Sequence, residues 1–75
     1  MRSPACVFDG ARVRARRDEK GLTVTQLAAS VGLNEAAMRR IEANRGPAPR
    51  MDVVLRLLGV LDLRFEQVCV RAESE

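Results

Sequence analysis

Two helix start signals that lie only eleven residues apart constrain the fold of this chain most strongly. Thr23 is followed three residues later by Gln26, and this pattern is a capping box, which begins a helix. Asn34 is a second residue of a type that caps helix N-termini, and Gly32 lies just before it, where a glycine ends a helix. Two short helices joined by a three-residue turn are therefore expected at the centre of the fold.

The predicted helices span residues 24–31 and 35–43. Met38 and Ile41 form an apolar stripe at helical spacing on the second of them, so the opposite face of that helix is expected to be exposed. Two short helices joined by a turn that contains glycine are the helix-turn-helix signature, although an ordinary corner between two helices has the same outline. The tight spacing and the arginines on either side favour the helix-turn-helix interpretation.

The rest of the chain predicts one small helical domain. A first helix, capped by Asp9, is expected to end near Lys20, and residues 44–50 have the composition of a loop. A fourth helix is predicted over residues 51–61. Its apolar residues recur at helical spacing and are expected to close the core; they are Met51, Val54, Leu55, Leu58 and Leu61.

The sequence of the C-terminal segment is compatible with two kinds of secondary structure. Its β-branched and aromatic residues favour a strand over residues 63–71, and a short fifth helix is the alternative. A lone strand needs a partner for its backbone groups, so a second copy of the chain is expected to pair with it antiparallel. The interface residues would be Leu63, Phe65, Val68 and Val70. The predicted organisation is a flexible arm (1–8), the helical domain (9–62), this strand and a disordered tail (72–75).

Residue types that build metal and catalytic sites are scarce. The chain has no His, and Cys6 and Cys69 lie 63 positions apart without a CxxC pair, so we expect no metal site. No catalytic constellation is present, and neither enzyme activity nor a cofactor is expected. We expect free thiols in a reducing cytosol. No apolar run reaches the roughly 18 residues of a membrane span, so the expected location is the cytoplasm.

The charge of the chain is unevenly distributed. Residues 1–50 carry ten Arg or Lys against five Asp or Glu, whereas residues 51–75 carry three against five. Twelve of the thirteen basic residues are Arg, the side chain best suited to phosphate and to guanine. This imbalance favours a polyanion as the partner of one face, although a solvated helix face carries the same charge pattern and charge alone does not separate the two.

The central motif resembles the phage repressor/Cro-type (XRE-like) helix-turn-helix family. The residues that carry the resemblance are Gly21-Leu22-Thr23, Gln26-Leu27-Ala28, Val31-Gly32-Leu33-Asn34 and Met38-Arg39-Arg40-Ile41-Glu42. The resemblance covers roughly residues 9–62, and the ending from Leu57 to Phe65 is most similar to HipB-like antitoxins. It implies an all-α, lambda-repressor-like domain of four to five helices, with a C-terminal strand that pairs across a dimer. Val24 departs from the Gln that the family often has at that position.

The resemblance implies a double-stranded DNA operator as partner, read by the second helix of the motif in the major groove. The expected base-reading residues are Glu35, Ala36, Arg39 and Arg40, where Glu35 either accepts from cytosine or orients Arg39. The expected phosphate contacts are Arg17, Thr23, Asn34, Asn44, Arg45 and Arg50. A structural salt bridge between Arg17 and Glu42 is also carried over from the family.

The predicted function is a sequence-specific transcriptional regulator. The leading form is an antitoxin-type autorepressor that binds a palindromic operator as a homodimer. A restriction–modification controller, a phage repressor, and an interaction module that mainly binds a toxin protein are the alternatives.

Overall fold

The structure, a computed structural model, describes residues 5–72, which form five helices and one short two-stranded antiparallel ribbon. In chain order the elements are β1 (Ala5–Phe8), α1 (Gly10–Glu19), α2 (Val24–Ser30), α3 (Glu35–Glu42), α4 (Met51–Leu61), α5 (Phe65–Val68) and β2 (Cys69–Ala72). The predominance of helix confirms the predicted all-α class.

The helix N-termini are fixed by the capping residues that the sequence indicates. The side chains of Asp9 and Asn34 each accept a hydrogen bond from a backbone N–H in the first turn of α1 and α3. Thr23 and Gln26 form both halves of the capping box of α2. Gly32 follows α2 with φ of +76°, a left-handed conformation that glycine adopts without steric cost. Local chemistry therefore determines where these helices begin and where α2 ends.

The core lies between the helices and is built from aliphatic side chains. Its fully buried members come from every helix, and the largest are Leu27, Met38, Leu57, Leu61, Val13, Val31 and Val68. Each is less than 2% exposed. A core of this kind is close-packed, so the relative positions of the helices follow from the shapes of these side chains.

The core face of α4 differs from the prediction. Val53, Val54 and Leu57 are buried, whereas Met51 and Leu55 are 57% and 58% exposed. The predicted stripe was therefore partly wrong, although Val54 and Leu61 do belong to the core. The physical reason is that α4 is apolar on two sides, and helical spacing does not say which side packs inward.

The C-terminal segment contains both of the predicted alternatives, a helix and then a strand. Residues that were expected to form one strand form α5, and β2 follows it. The partner of β2 is β1 of the same chain, with Phe8 opposite Cys69 and Val7 opposite Val70. The prediction that this strand has no partner within the chain is therefore wrong, and so is the prediction of a flexible arm for residues 5–8. The sheet pairs segments about sixty residues apart, which local sequence patterns do not detect.

The predicted dimer residues consequently have different surroundings. Val68 is fully buried in the core of its own chain, and Leu63 packs against that core in a half-buried position. The backbone of Val70 pairs with that of Val7 in the ribbon, and Phe65 is a large exposed side chain, at 43%. Val68 is thus corrected from an interface residue to a core residue. The remainder of the predicted arm and tail, residues 1–4 and 73–75, lies outside the described residues.

Cys69 forms a disulfide bond. This observation corrects the prediction of free thiols, which was based on the small number and wide separation of the cysteines.

A buried ion pair joins α1 to α3. Arg17 donates from Nε to Oε2 of Glu42 at 2.7 Å and from Nη2 to Oε1 at 3.0 Å, and both residues are less than 10% exposed. Nη1 of Arg17 donates to the carbonyl of Leu22 at 2.9 Å. The hydrogen bonds that Arg17 donates to Glu42 raise the pKa of Arg17 above its ordinary value, although burial acts in the opposite direction. The predicted Arg17–Glu42 bridge is therefore present, in two-pronged geometry.

The N-terminus of α1 lies directly against the C-terminus of α3. A Cβ on Gly10 would stand 1.8 Å from the carbonyl oxygen of Ile41, so the two backbones approach closely only because residue 10 is glycine. The side-chain oxygen of Asn44 accepts from the Gly10 N–H at 2.8 Å, and its amide nitrogen donates to Asp9 at 3.1 Å. The hydrogen bond from Asn44 is the main reason that the pKa of Asp9 is lowered. Together with the ion pair, these contacts hold the C-terminal end of α3 against α1 at two points of α1, Gly10 and Arg17.

Removing one member of the buried ion pair is expected to destabilise the fold. Glu42→Ala leaves the Arg17 guanidinium buried without its partner, which costs on the order of 3–5 kcal/mol. Glu66→Ala is the matched control, because the Glu66 side chain is 70% exposed. Chemical denaturation followed by circular dichroism gives the free energies of unfolding. Equal values for the two variants would show that the ion pair does not stabilise the fold.

Candidate nucleic-acid interface

The α2–turn–α3 unit is held together by buried side chains and by its own backbone. Leu27 and Ala28 of α2 are buried together with Met38 of α3. The Leu33 N–H in the turn donates to the carbonyl of Ala28 at 2.9 Å. This geometry confirms the helix-turn-helix motif predicted from the sequence, and it leaves the opposite face of α3 facing solvent.

The exposed face of α3 carries a small apolar residue and two arginines. Ala36, Arg39 and Arg40 are exposed, and Glu35 is partly exposed at the N-terminus of the helix. Met38 and Glu42 point into the protein, so the rotation of α3 about its axis is fixed. The four predicted base-reading residues therefore lie on one side of the helix, at the spacing of its successive turns.

A hydrogen-bonded chain of three side chains orders this face. The hydroxyl of Thr25, in the first turn of α2, donates to Oε1 of Glu35 at 2.7 Å. Nε of Arg39 donates to Oε2 of the same carboxylate at 2.9 Å, and the Nη2 of Arg39 contacts it as well. Glu35 thus links α2 to Arg39, and we call these residues the Thr25–Glu35–Arg39 chain.

Electrostatics keeps Glu35 ionised in this chain. The hydrogen bond from Thr25, followed by the hydrogen bond and the positive charge of Arg39, lowers the pKa of Glu35 below its ordinary value. Both carboxylate oxygens already accept hydrogen bonds. Of the two roles considered for Glu35, this arrangement matches the orientation of Arg39 rather than the acceptance of a hydrogen bond from cytosine.

The exposed residues around α3 include most of the predicted phosphate contacts. Thr23 and Asn34 are exposed at the N-termini of α2 and α3, where their side-chain oxygens act as caps. Arg45 and Arg50 are exposed in the loop between α3 and α4, and Arg50 is 3.6 Å from the carboxylate of Asp52. Helix N-termini and flexible arginines are both suited to phosphate oxygens.

Two predicted phosphate contacts have other partners in the structure. Arg17 is 9% exposed, and its guanidinium is held by Glu42 and by the carbonyl of Leu22, so its predicted phosphate role is corrected to a structural one. The side chain of Asn44 connects Gly10 to Asp9. Asn44 therefore positions the N-terminus of α1, and its predicted phosphate contact stays a prediction.

Two residues on this surface were not identified from the sequence. Thr25 is one, because its contact with Glu35 depends on how the turn folds α2 against α3. Arg14 is the other. It lines a shallow groove of about 180 Å³ together with Arg39 and Val24, so it lies beside the exposed face of α3. A sequence signal existed only for Arg14, which lies one helical turn before Arg17 within the cluster of arginines in α1.

Residues 5–72 also lack the features of two other classes of site. No group of His, Cys, Asp or Glu in this part of the chain is arranged to hold a metal ion. None of its helices is long and apolar enough to cross a membrane.

Comparison with known proteins assigns the same residues to a known domain. A family model described as a helix-turn-helix domain matches residues 10–68. The chain is 33% identical over 63 residues to the HTH-type transcriptional repressor RghR of Bacillus subtilis (strain 168). The aligned region covers 84% of this chain and 47% of the relative, so the chain spans about half the length of that protein. No solved structure gives a significant match.

Removal of the Thr25 hydroxyl is expected to change the titration of Glu35. Thr25→Val deletes the largest cause of the lowered pKa, so the pKa of Glu35 should rise toward its ordinary value. Because the pKa is lowered in the folded protein, the contribution of this carboxylate to stability is present above the unfolded pKa. It is lost as pH falls through the folded pKa. Carboxyl NMR titration measures the shift, and Thr25→Ser, which keeps the hydroxyl, is the control. An unchanged pKa in Thr25→Val would contradict the hydrogen-bonded chain.

Proposed function

The chain belongs to the helix-turn-helix domain family, and on that premise we propose that it is a sequence-specific regulator of transcription that binds double-stranded DNA. The family match agrees with the predicted resemblance to XRE-like proteins. The name of the Bacillus relative, a transcriptional repressor, supports repression as the mode of regulation. The similarity to HipB-like antitoxins stays a prediction from sequence.

The observation that carries this proposal is the fixed and exposed face of α3. In helix-turn-helix proteins the second helix enters the major groove, and its N-terminal residues contact the base edges. Here the buried Met38 and the Arg17–Glu42 ion pair fix that helix, so Ala36, Arg39 and Arg40 face outward together. A rigid helix positions base-reading groups better than a loop would.

Each side chain on this face has a distinct proposed contact. Arg39, oriented by Glu35, donates to O6 and N7 of a guanine, and Arg40 either donates to a second guanine or binds a phosphate. The methyl group of Ala36 packs on a thymine methyl. Thr23 and Asn34 at the helix N-termini, with Arg45 and Arg50 in the loop, bind phosphates and hold the DNA backbone in register.

We propose a homodimer on a palindromic operator as the functional unit in the cytoplasm. One copy of α3 covers only half a site, and two copies related by a two-fold axis read half-sites about 34 Å apart, one turn of the double helix. Autorepression as the antitoxin of a toxin–antitoxin pair is the leading form of this proposal. A restriction–modification controller and a phage repressor have the same requirements for DNA binding, and no enzyme activity or cofactor is proposed.

The remaining alternative is a module whose main partner is a protein such as a toxin. The concentration of arginines around α3 favours DNA over such a partner. The salt dependence of DNA affinity separates the two functions, because each phosphate contact releases condensed counterions. A regulator loses affinity steeply between low and physiological salt. A shallow dependence, with weak binding throughout, would favour the protein-binding module.

Truncating either arginine on α3 is expected to reduce binding to the preferred sequence more than binding to random DNA. The preferred site is first selected from a random duplex pool. Arg39→Ala or Arg40→Ala should then cost about 1–3 kcal/mol on that site, measured by fluorescence anisotropy. Arg64→Ala removes the same charge from a side chain that is 81% exposed at the start of α5, and it is the matched control. Equal losses of binding free energy on selected and random DNA would show that the residue contacts a phosphate and not a base.

A further inference from the structure

The outward side of α4 combines exposed apolar residues with a glycine. Met51 and Leu55 are more than half exposed, and Gly59 follows Leu55 by four residues, so the three form a row along the helix. Asp52 and Arg56 are exposed beside this row. We call these five residues the α4 outer face. It lies opposite the side of α4 that packs into the core.

No residue in the described part of the chain, 5–72, packs against Gly59 closely enough to require a glycine there. Glycine in a helix interior is destabilising relative to alanine, so a packing reason is expected where it occurs. A Cβ added to Gly59 would meet no atom within 4 Å, in contrast to Gly10, where it would clash with the backbone of α3. The open space at Gly59 fits the close approach of a side chain from another molecule.

We propose that the α4 outer face is the interface between two copies of this chain, packed antiparallel with the two-fold axis at Leu55. In that arrangement the two Leu55 side chains meet at the axis. Residues four positions before and four positions after the axis then face each other, so Met51 packs over the partner's Gly59. The absence of a side chain at residue 59 provides the room for Met51, and two exposed apolar side chains per copy leave water.

The charges beside the row agree with the antiparallel arrangement. Asp52 and Arg56 lie on the same flank of α4, one turn apart. A two-fold axis at Leu55 brings Asp52 of one copy close to Arg56 of the other, and this ion pair occurs twice. A parallel arrangement would instead place the Asp52 of one chain beside the Asp52 of the other, where the two negative charges repel. Among the described residues 5–72, Asp52 forms an ion pair at 3.6 Å with the highly exposed Arg50, and Arg56 donates a long 3.4 Å hydrogen bond to the carbonyl of Val31.

This interface deepens the proposed function, because a dimer brings a second copy of α3 to the DNA. The β1–β2 ribbon cannot join the two copies in this way, since both of its strands belong to one chain. The interface rests on the proposed function only for the homodimer, and its test contains no DNA. Failure of the interface therefore leaves the binding experiments on α3 unaffected, and a failure to bind DNA leaves the sedimentation result unaffected.

Sedimentation velocity of the full chain over a range of concentrations tests the interface. Leu55→Glu should weaken dimerisation at least tenfold, because it sets two carboxylates against each other at the axis. Phe65→Glu is the matched control, since Phe65 is also a large exposed apolar residue but lies on α5, in the segment first predicted to pair. Circular dichroism verifies that both variants fold. A monomeric parent, or a dimer that survives Leu55→Glu, would overturn the proposal.

A charge exchange tests the antiparallel arrangement independently of apolar contacts. Asp52→Arg and Arg56→Asp should each weaken the dimer several-fold, and the double variant, which restores opposite charges across the axis, should recover most of the loss. Single losses without recovery in the double variant would overturn the arrangement. Such a departure from additivity distinguishes a direct pair from two separate surface effects, whose losses would simply add.

Discussion

The ion pair between Arg17 and Glu42 is the interaction on which the arrangement of this domain depends. Backbone hydrogen bonds do not join α1 to α3 within residues 5–72, so side chains set the orientation of one helix on the other. The two-pronged pair fixes direction as well as distance, and it is bought at the cost of burying two charges. The close backbone contact between Gly10 and Ile41 adds a second contact point, at the N-terminus of α1. Since Glu42 belongs to α3, the same residue that anchors the helix also determines which of its sides faces solvent.

The parts of the fold that the sequence predicts well are those that local chemistry determines. Thr23 with Gln26, Asn34 and Gly32 act within one or two turns, and the structure has them in the predicted roles. The ribbon of β1 and β2 depends on pairing between the two ends of the chain, and strands of four residues leave little pattern to detect. The error in α4 has a different origin. Because that helix is apolar on two sides, its spacing predicts a helix correctly without identifying the side that packs on the core.

The same distinction applies to the candidate site. The sequence identifies the exposed side of α3 because Met38 marks the buried side, and the structure adds how that exposed side is ordered. The contact of Thr25 with Glu35 joins two helices across a turn, so its geometry follows only from the folded motif. The residue types of Arg17 and Asn44 predict phosphate contacts, whereas the structure holds Arg17 in a buried ion pair and engages the exposed Asn44 in hydrogen bonds to Gly10 and Asp9. Residue type thus predicts the kind of contact, whereas burial decides whether the side chain is available for it.

The central claim is that the exposed side of α3 reads DNA sequence while the rest of the domain holds it in place. NMR amide shifts of the labelled protein, recorded on addition of a selected duplex and of a random duplex of equal length, test it most directly. We expect the amides of Ala36, Arg39 and Arg40 to shift with both duplexes and to shift differently with the selected one, because base contacts differ between the duplexes and phosphate contacts do not. Shifts confined to α4 and α5, or identical shifts of α3 with both duplexes, would contradict the claim.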